Sequence, residues 1–135
     1  MKTLNDVKVF RFRKFEEEDG NLIPIEGSSD IPFEIKRVFY VYGVHDQNDR
    51  GKHAHYTTKQ ILICLNGEVD VTVDDGYMKK VITLNDKNQA VLVPEMIWDE
   101  QVYKTPDTTL LVLCSTHYDE RDYINDYEEF KRLKK

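Results

Sequence analysis

Hydrophobic and polar positions alternate along this chain in short runs, at 7–12, 21–25, 33–42, 52–57, 60–65, 69–73, 77–83, 90–93, 97–102 and 109–116. A period of two puts every second side chain on one face, so each run predicts a strand. Turn chemistry separates the runs at Asp19-Gly20, Gly27-Ser28-Ser29, Asn66-Gly67 and Asp74-Asp75-Gly76. Asn66-Gly67 and Asp75-Gly76 are the strongest hairpin marks, because both pairs tolerate positive φ. Short strands joined by tight turns predict an all-β antiparallel sandwich or barrel. Only the end changes period. From Asp122 onward, Tyr123, Tyr127 and Phe130 fall on one helical stripe, with acidic residues leading and basic residues trailing. That arrangement suits the helix dipole and predicts a short C-terminal helix.

Composition narrows the setting. The 135 residues suit one domain over 1–135, with 40% hydrophobic and 33% charged residues. A net charge of −6 argues against a general nucleic-acid binder. No apolar run approaches the ~20 residues of a membrane span, and the start, Met1-Lys2-Thr3-Leu4-Asn5-Asp6, has no apolar signal core. A cytoplasmic protein without membrane attachment is the expectation. Cys64 and Cys114 each sit in an apolar run and read as small buried residues of a reducing compartment.

The chemistry concentrates at Arg50-Gly51-Lys52-His53-Ala54-His55. Two histidines one residue apart in a strand point to the same face, which is inward in a small barrel. Such histidines ligate metal or move protons. The pattern His53-x-His55-x4-Gln60-x6-Gly67 resembles the first cupin motif, with Gln for the usual Glu. The second cupin motif carries a His five residues after a Pro; here Asp99 stands five after Pro94. Two imidazoles and the Asp99 carboxylate can hold a divalent ion, although Gln60 is a weak ligand. Without metal, the same imidazoles are general acids and bases near neutral pH. A purely structural role for both histidines is the bland alternative. Arg37 interrupts an apolar run and shares a face with Phe39 and Val41, so it needs an acidic or anionic partner. Arg50, just before the histidine strand, is either a second arm of the same anion site, its fork suited to phosphate oxygens, or one side of a surface salt bridge. Tyr40, Tyr42, Trp98 and Tyr103 read as core, with one or two available to stack on a ring.

Larger blocks carry a family resemblance. The runs 31–40 and 50–55, then Gln60-x4-Leu65-x-Gly67, Asp74-Asp75-Gly76, Ile97-Trp98-x-Glu100 and the segment 115–124, resemble the sugar 3,4-ketoisomerases, in order, from about Gly20 to Phe130. The resemblance implies a jelly-roll cupin and a homodimer, often with an exchanged N-terminal strand. It also implies action on dTDP-4-keto-6-deoxyglucose without metal or redox cofactor. The 3-keto product of such enzymes is aminated for O-antigen, S-layer or antibiotic sugars. It makes His53 and His55 catalytic, with His53 as base and His55 polarising oxygen or relaying a proton. It puts Arg37 and Arg50 on the phosphates and Gln60, Trp98, Asp99, Glu100 and Asp19 around the substrate.

Three positions depart from the family pattern. Members giving galacto and gluco products carry Arg with His, or Tyr with Arg, where this chain has Asp19 and Asp99. A family aromatic that is often Tyr is Phe39 here. Product stereochemistry is therefore open. The competing readings are a metal-dependent cupin using His53, His55 and Asp99, and a nucleotide-sugar-binding cupin without chemistry.

Overall fold

The alternation resolves into two antiparallel sheets in the computed structural model of the chain, which describes residues 1–45 and 49–135. One sheet runs in the order β1 (Lys8–Arg11), β9 (Gln89–Val93), β6 (Gln60–Asn66), β11 (Thr109–Cys114) and β4 (Arg37–Val41). The other runs β12 (Tyr123–Ile124), β5 (Asp49–His55), β10 (Trp98–Tyr103), β7 (Val69–Asp74) and β8 (Lys79–Leu84). A small hairpin, β2 (Phe15–Glu17) with β3 (Gly20–Leu22), stands apart, and one helix, α1 (Tyr127–Leu133), ends the chain. This is the two-sheet cupin sandwich with a short C-terminal helix.

Val69, Val71 and Val73 from β7 meet Leu62, Val91, Leu110 and Val112 from the facing sheet and form the main core. The first five residues of β6, by contrast, are buried on both faces. Ile61 and Ile63 point away from the sandwich and are covered by Ile31 and Phe33 of the segment before β4. That covering role shortens the strand expected at 33–42 to Arg37–Val41. The hairpin partner β2 lies outside the expected strands; its three residues are all exposed, so no burial pattern marks it.

The C-terminus differs most from expectation. Tyr123 is not on the helix. Residues 120–122 form a 3₁₀ turn capped by Asp119, and Tyr123–Ile124 then pair with His55 and Ala54. The helix begins only at Tyr127, where the Asp126 side chain accepts a hydrogen bond from the Glu128 amide. Phe130 from α1 packs with Ala54, Met96, Trp98 and Ile124 on the outer face of the second sheet.

A bulge in β5 sets up the site. Gly51 (φ 86°) and Lys52 (φ 52°) both adopt left-handed backbone. Gly51 pairs with Glu100 while His53 pairs with Asp99, so Lys52 is the extra residue. A Cβ on Gly51 would sit 2.9 Å from Asp99 Oδ1, which leaves room only for glycine. Strict alternation would put Arg50 and His53 on opposite faces. The extra residue puts them on the same one, with Arg50 opposite Gln101 and His53 opposite Asp99.

Candidate active site

Side chains from both sheets converge between them at one end of the sandwich. Across the second sheet, Tyr123 stands opposite His55 and His53 opposite Asp99. Across the first sheet, Arg37 stands opposite Cys114, which stands opposite Gln60. Directly paired residues share a face, so these two rows look at one another. The His53 and His55 ring centroids are 5.0 Å apart, and Tyr123 lies 5.2 Å from the first and 4.4 Å from the second. Arg37 donates to the Tyr123 hydroxyl at 3.2 Å. Gln60 Nε2 reaches Cys114 Sγ at 3.4 Å.

The hydrogen bonds assign the imidazole tautomers. His53 Nδ1 lies 2.9 Å from the Gly51 carbonyl, which can only accept, so Nδ1 carries the proton. His55 Nδ1 lies 3.1 Å from Asp122 Oδ2 and is protonated by the same logic. Both Nε2 atoms are thereby left as bare acceptors. Each is buried without a hydrogen-bond partner among the described residues, as is Arg37 Nε. Buried polar atoms are normally paired, so a cluster of unpaired ones marks a place prepared for a ligand's polar groups.

Asp122 is the anchor of this arrangement. Its carboxylate accepts from the Thr57 amide at 2.8 Å, the Thr57 hydroxyl at 2.7 Å, the Thr58 amide and the Thr58 hydroxyl. Burial works against its charge, but the Thr58 and Thr57 donors hold the carboxyl below the usual carboxylate range. His55 is only 5% exposed. Burial, with the neighbouring His53, depresses it to about 4 despite the Asp122 carboxylate, so it is neutral at physiological pH.

Behind His53 a second polar chain runs into the core. Tyr103 donates to Gln101 Oε1 at 3.0 Å, and Gln101 Nε2 donates to Asp99 Oδ1 at 3.3 Å. Asp99 is 1% exposed, and burial raises its pKa against the opposing pull of His53 and Gln101. Burial likewise raises the Tyr103 phenol. Among the described residues, no three His, Cys, Asp or Glu side chains are grouped to hold a metal ion.

These features fit a known group of proteins. Residues 5–135 match the family described as "FdtA: WxcM-like, C-terminal". The TDP-4-oxo-6-deoxy-alpha-D-glucose-3,4-oxoisomerase of Aneurinibacillus thermoaerophilus is 40% identical over 125 residues, 93% of this chain and 90% of that one. The chain belongs to this family of sugar 3,4-ketoisomerases. A crystal structure of a histidine-to-asparagine variant of the 3,4-ketoisomerase QdtA from Thermoanaerobacterium thermosaccharolyticum, in complex with TDP-4-keto-6-deoxyglucose, superposes with a TM-score of 0.93. It is 38% identical and covers 97% of this chain and 95% of its own. WlaRA, the TDP-fucose-3,4-ketoisomerase of Campylobacter jejuni, gives a TM-score of 0.92 at 37% identity, covering 96% of each chain.

Within this ketoisomerase fold, His53, His55, Arg37 and Gln60 line one place, with Asp99 buried behind His53. Arg50 lies at its edge in a cleft of about 560 Å³ lined by Tyr42, His45, Asp49 and Lys52. Three expected substrate contacts do not join them. Trp98 and Glu100 alternate with Asp99 on β10 and therefore face out of the sandwich. Trp98 is packed 5.7 Å from Phe130 and 5.2 Å from Tyr127, under α1. Asp19 is exposed in the turn between β2 and β3. Asp122 and Tyr123 were the residues hidden from sequence reasoning, since a helical period claimed them. The alternation of Asp122 and Ile124 around Tyr123, just after the Asp119 cap, was the available signal for an extended segment.

Proposed function

We infer that this protein moves the keto group of a TDP-linked 4-keto-6-deoxyhexose, TDP-4-keto-6-deoxyglucose, from C-4 to C-3 by proton transfer through an enediol. The observation carrying this reading is the pair of buried, unpartnered Nε2 atoms on His53 and His55, each imidazole locked by its other nitrogen. The C-4 ketone makes the C-3 hydrogen abstractable. His53 takes it at Nε2 and, after exchange of that proton with solvent, delivers one to C-4. His55, neutral and bare at Nε2, accepts the C-3 hydroxyl proton and relays it; with Nδ1–H bound to Asp122, its neutral form has no hydrogen to offer an oxygen. Arg50 and Lys52 supply positive charge for the two phosphates on a protein whose net charge is −6. The enzyme works as a homodimer in the cytoplasm. In the single chain β1 pairs with its own β9, and an N-terminal strand exchanged between protomers would keep that register.

Proton NMR of the protein with TDP-4-keto-6-deoxyglucose in D₂O, with and without chelator, tests this. Chelator-resistant formation of the 3-keto isomer with deuterium at C-4 is expected, and the H-4 to H-5 coupling of the product formed in a parallel reaction in H₂O reads the stereochemistry. Chelator-sensitive turnover would transfer the chemistry to a metal bound by His53, His55 and Asp99. Binding without isomerisation would leave a silent pocket.

A further inference from the structure

Isomerisation needs a proton on the C-4 oxygen as C-3 gives one up, and the residues facing the histidines divide sharply in their ability to supply it. Neither imidazole can in the neutral state, because both Nδ1–H groups are occupied and both Nε2 atoms are lone pairs. A guanidinium keeps its proton, so Arg37 can attract an oxyanion but not protonate it. Phe39, on the same face of β4 as Arg37, has no hydroxyl. Tyr103 spends its hydrogen on Gln101, inside the core. Asp99 lies on the far side of His53 from β12, enclosed by Gly51 and Gln101 and 1% exposed.

Tyr123 remains. It is opposite His55 on the neighbouring strand, its ring touches both imidazoles, and it is only partly buried. Its oxygen accepts from Arg37 Nη1 at 3.2 Å, and among the described residues its own O–H makes no further hydrogen bond. We propose that Tyr123 is the catalytic acid of this enzyme, donating its phenolic proton to the C-4 oxygen while His53 removes the C-3 hydrogen. This rests on the isomerase reading above.

The steps balance. The C-3–H bond breaks, its proton passes to His53 Nε2, and its electron pair forms the C-3–C-4 double bond. The carbonyl π pair moves onto the C-4 oxygen, which takes the Tyr123 proton. The phenolate faces the Arg37 guanidinium, whose charge offsets its own. In the second half His53 delivers a proton to C-4, the C-3 hydroxyl loses its proton through His55, and that proton restores the phenol. No oxidant, reductant or metal is consumed.

Tyr123→Phe keeps the ring that packs on both histidines and removes only the donor. In the same D₂O assay its kcat should fall roughly 10²–10⁴-fold with TDP affinity unchanged. Wild-type turnover with a Tyr123→Phe kcat within about threefold overturns the acid assignment and leaves the isomerase reading standing. Absence of turnover in the wild type removes both. Should Tyr123→Phe fail to fold, a ring-fluorinated tyrosine at position 123 keeps the contacts and acidifies the phenol. The alkaline limb of its kcat–pH profile should then move to lower pH; an unmoved limb overturns the proposal.

Discussion

His53 and His55 sit one residue apart yet meet different surroundings. His53 is half-buried and tied to a backbone carbonyl two residues away, whereas His55 is enclosed and held by a carboxylate 67 positions along the chain. That difference separates their roles. His53→Asn should lower turnover by at least ~10²-fold, the low end of what a general base contributes, while TDP binding measured by calorimetry stays within a few-fold of wild type. Turnover near the wild-type rate in that variant removes His53 as the base. His55 answers to pH. The ring ¹⁵N shifts of His55 should titrate near 4, far below the ordinary 6.5. The unfolded chain takes up this proton first on acidification. The stability associated with neutral His55 is thus present above 6.5 and is lost as pH falls toward 4. Integrated over that window the loss is roughly 3 kcal/mol, visible as a shrinking gap in urea stability between wild type and His55→Gln from pH 7 to pH 4. The comparison with the variant matters because the raised Asp99 pushes stability the other way, its folded form staying protonated where the unfolded one ionises. A His55 midpoint at 6.5 or above contradicts this account.

At the scale of elements, β12 contributes only two residues but joins the site to the C-terminal helix. Tyr123 faces the histidines while Ile124, on the opposite side, packs with Phe130 and Ala54. The helix is pinned further by the Tyr127 hydroxyl on Asp74 and by Lys134, whose ammonium donates to the Met96 carbonyl at 2.8 Å. Seven helical residues are too few to be stable alone, so packing holds α1 in place. Phe130 is fully buried, and Phe130→Ala should cost about 3–5 kcal/mol by the usual cost of emptying a core aromatic site. Turnover should drop with it below the melting transition, because Asp122 and Tyr123 precede the loosened helix directly. Thermal unfolding and kcat measured on one preparation check both effects. An unchanged melting temperature would mean that the helix is not anchored through Phe130.

The whole molecule presents apolar side chains that one chain leaves uncovered. Val9 on the edge strand β1, Val38 and Tyr40 on the opposite edge β4, and Phe15 and Leu22 on the small hairpin are all exposed. Edge strands with apolar side chains invite pairing, and a second copy of the chain is the occupant that the homodimer proposal names. Sedimentation equilibrium should return a mass near twice the 16.0 kDa of one chain. A mass of one chain at micromolar concentration contradicts the dimer. No helix of the described residues is long and apolar enough to cross a membrane.

Local rules act over neighbouring residues, and what depends on them was legible in the chain. Alternation marked most strands, Asp75-Gly76 marked the β7–β8 hairpin, and the spacing of His53 and His55 put two imidazoles on one face; Asn66-Gly67, expected as a hairpin, instead carries the chain from β6 in one sheet to β7 in the other. Arg37 stood out as a charge in an apolar run, and Gln60 and Asp99 were found by their spacing from His55 and Pro94 in the two cupin motifs. Tertiary structure decided the rest, because register and bulges depend on partners distant in sequence. Only the pairing of β5 with β10 shows that Lys52 is an extra residue and that Arg50 joins the histidine face. Only the return of the chain beside β5 turns Asp122 and Tyr123 from helical positions into the carboxylate and phenol of the site. The opposing faces of β10 likewise separate Asp99, inside, from Trp98 and Glu100, outside, though the three are adjacent in the chain. A residue type at a given spacing predicts a chemistry; which side chains share a buried space is set by contacts between strands.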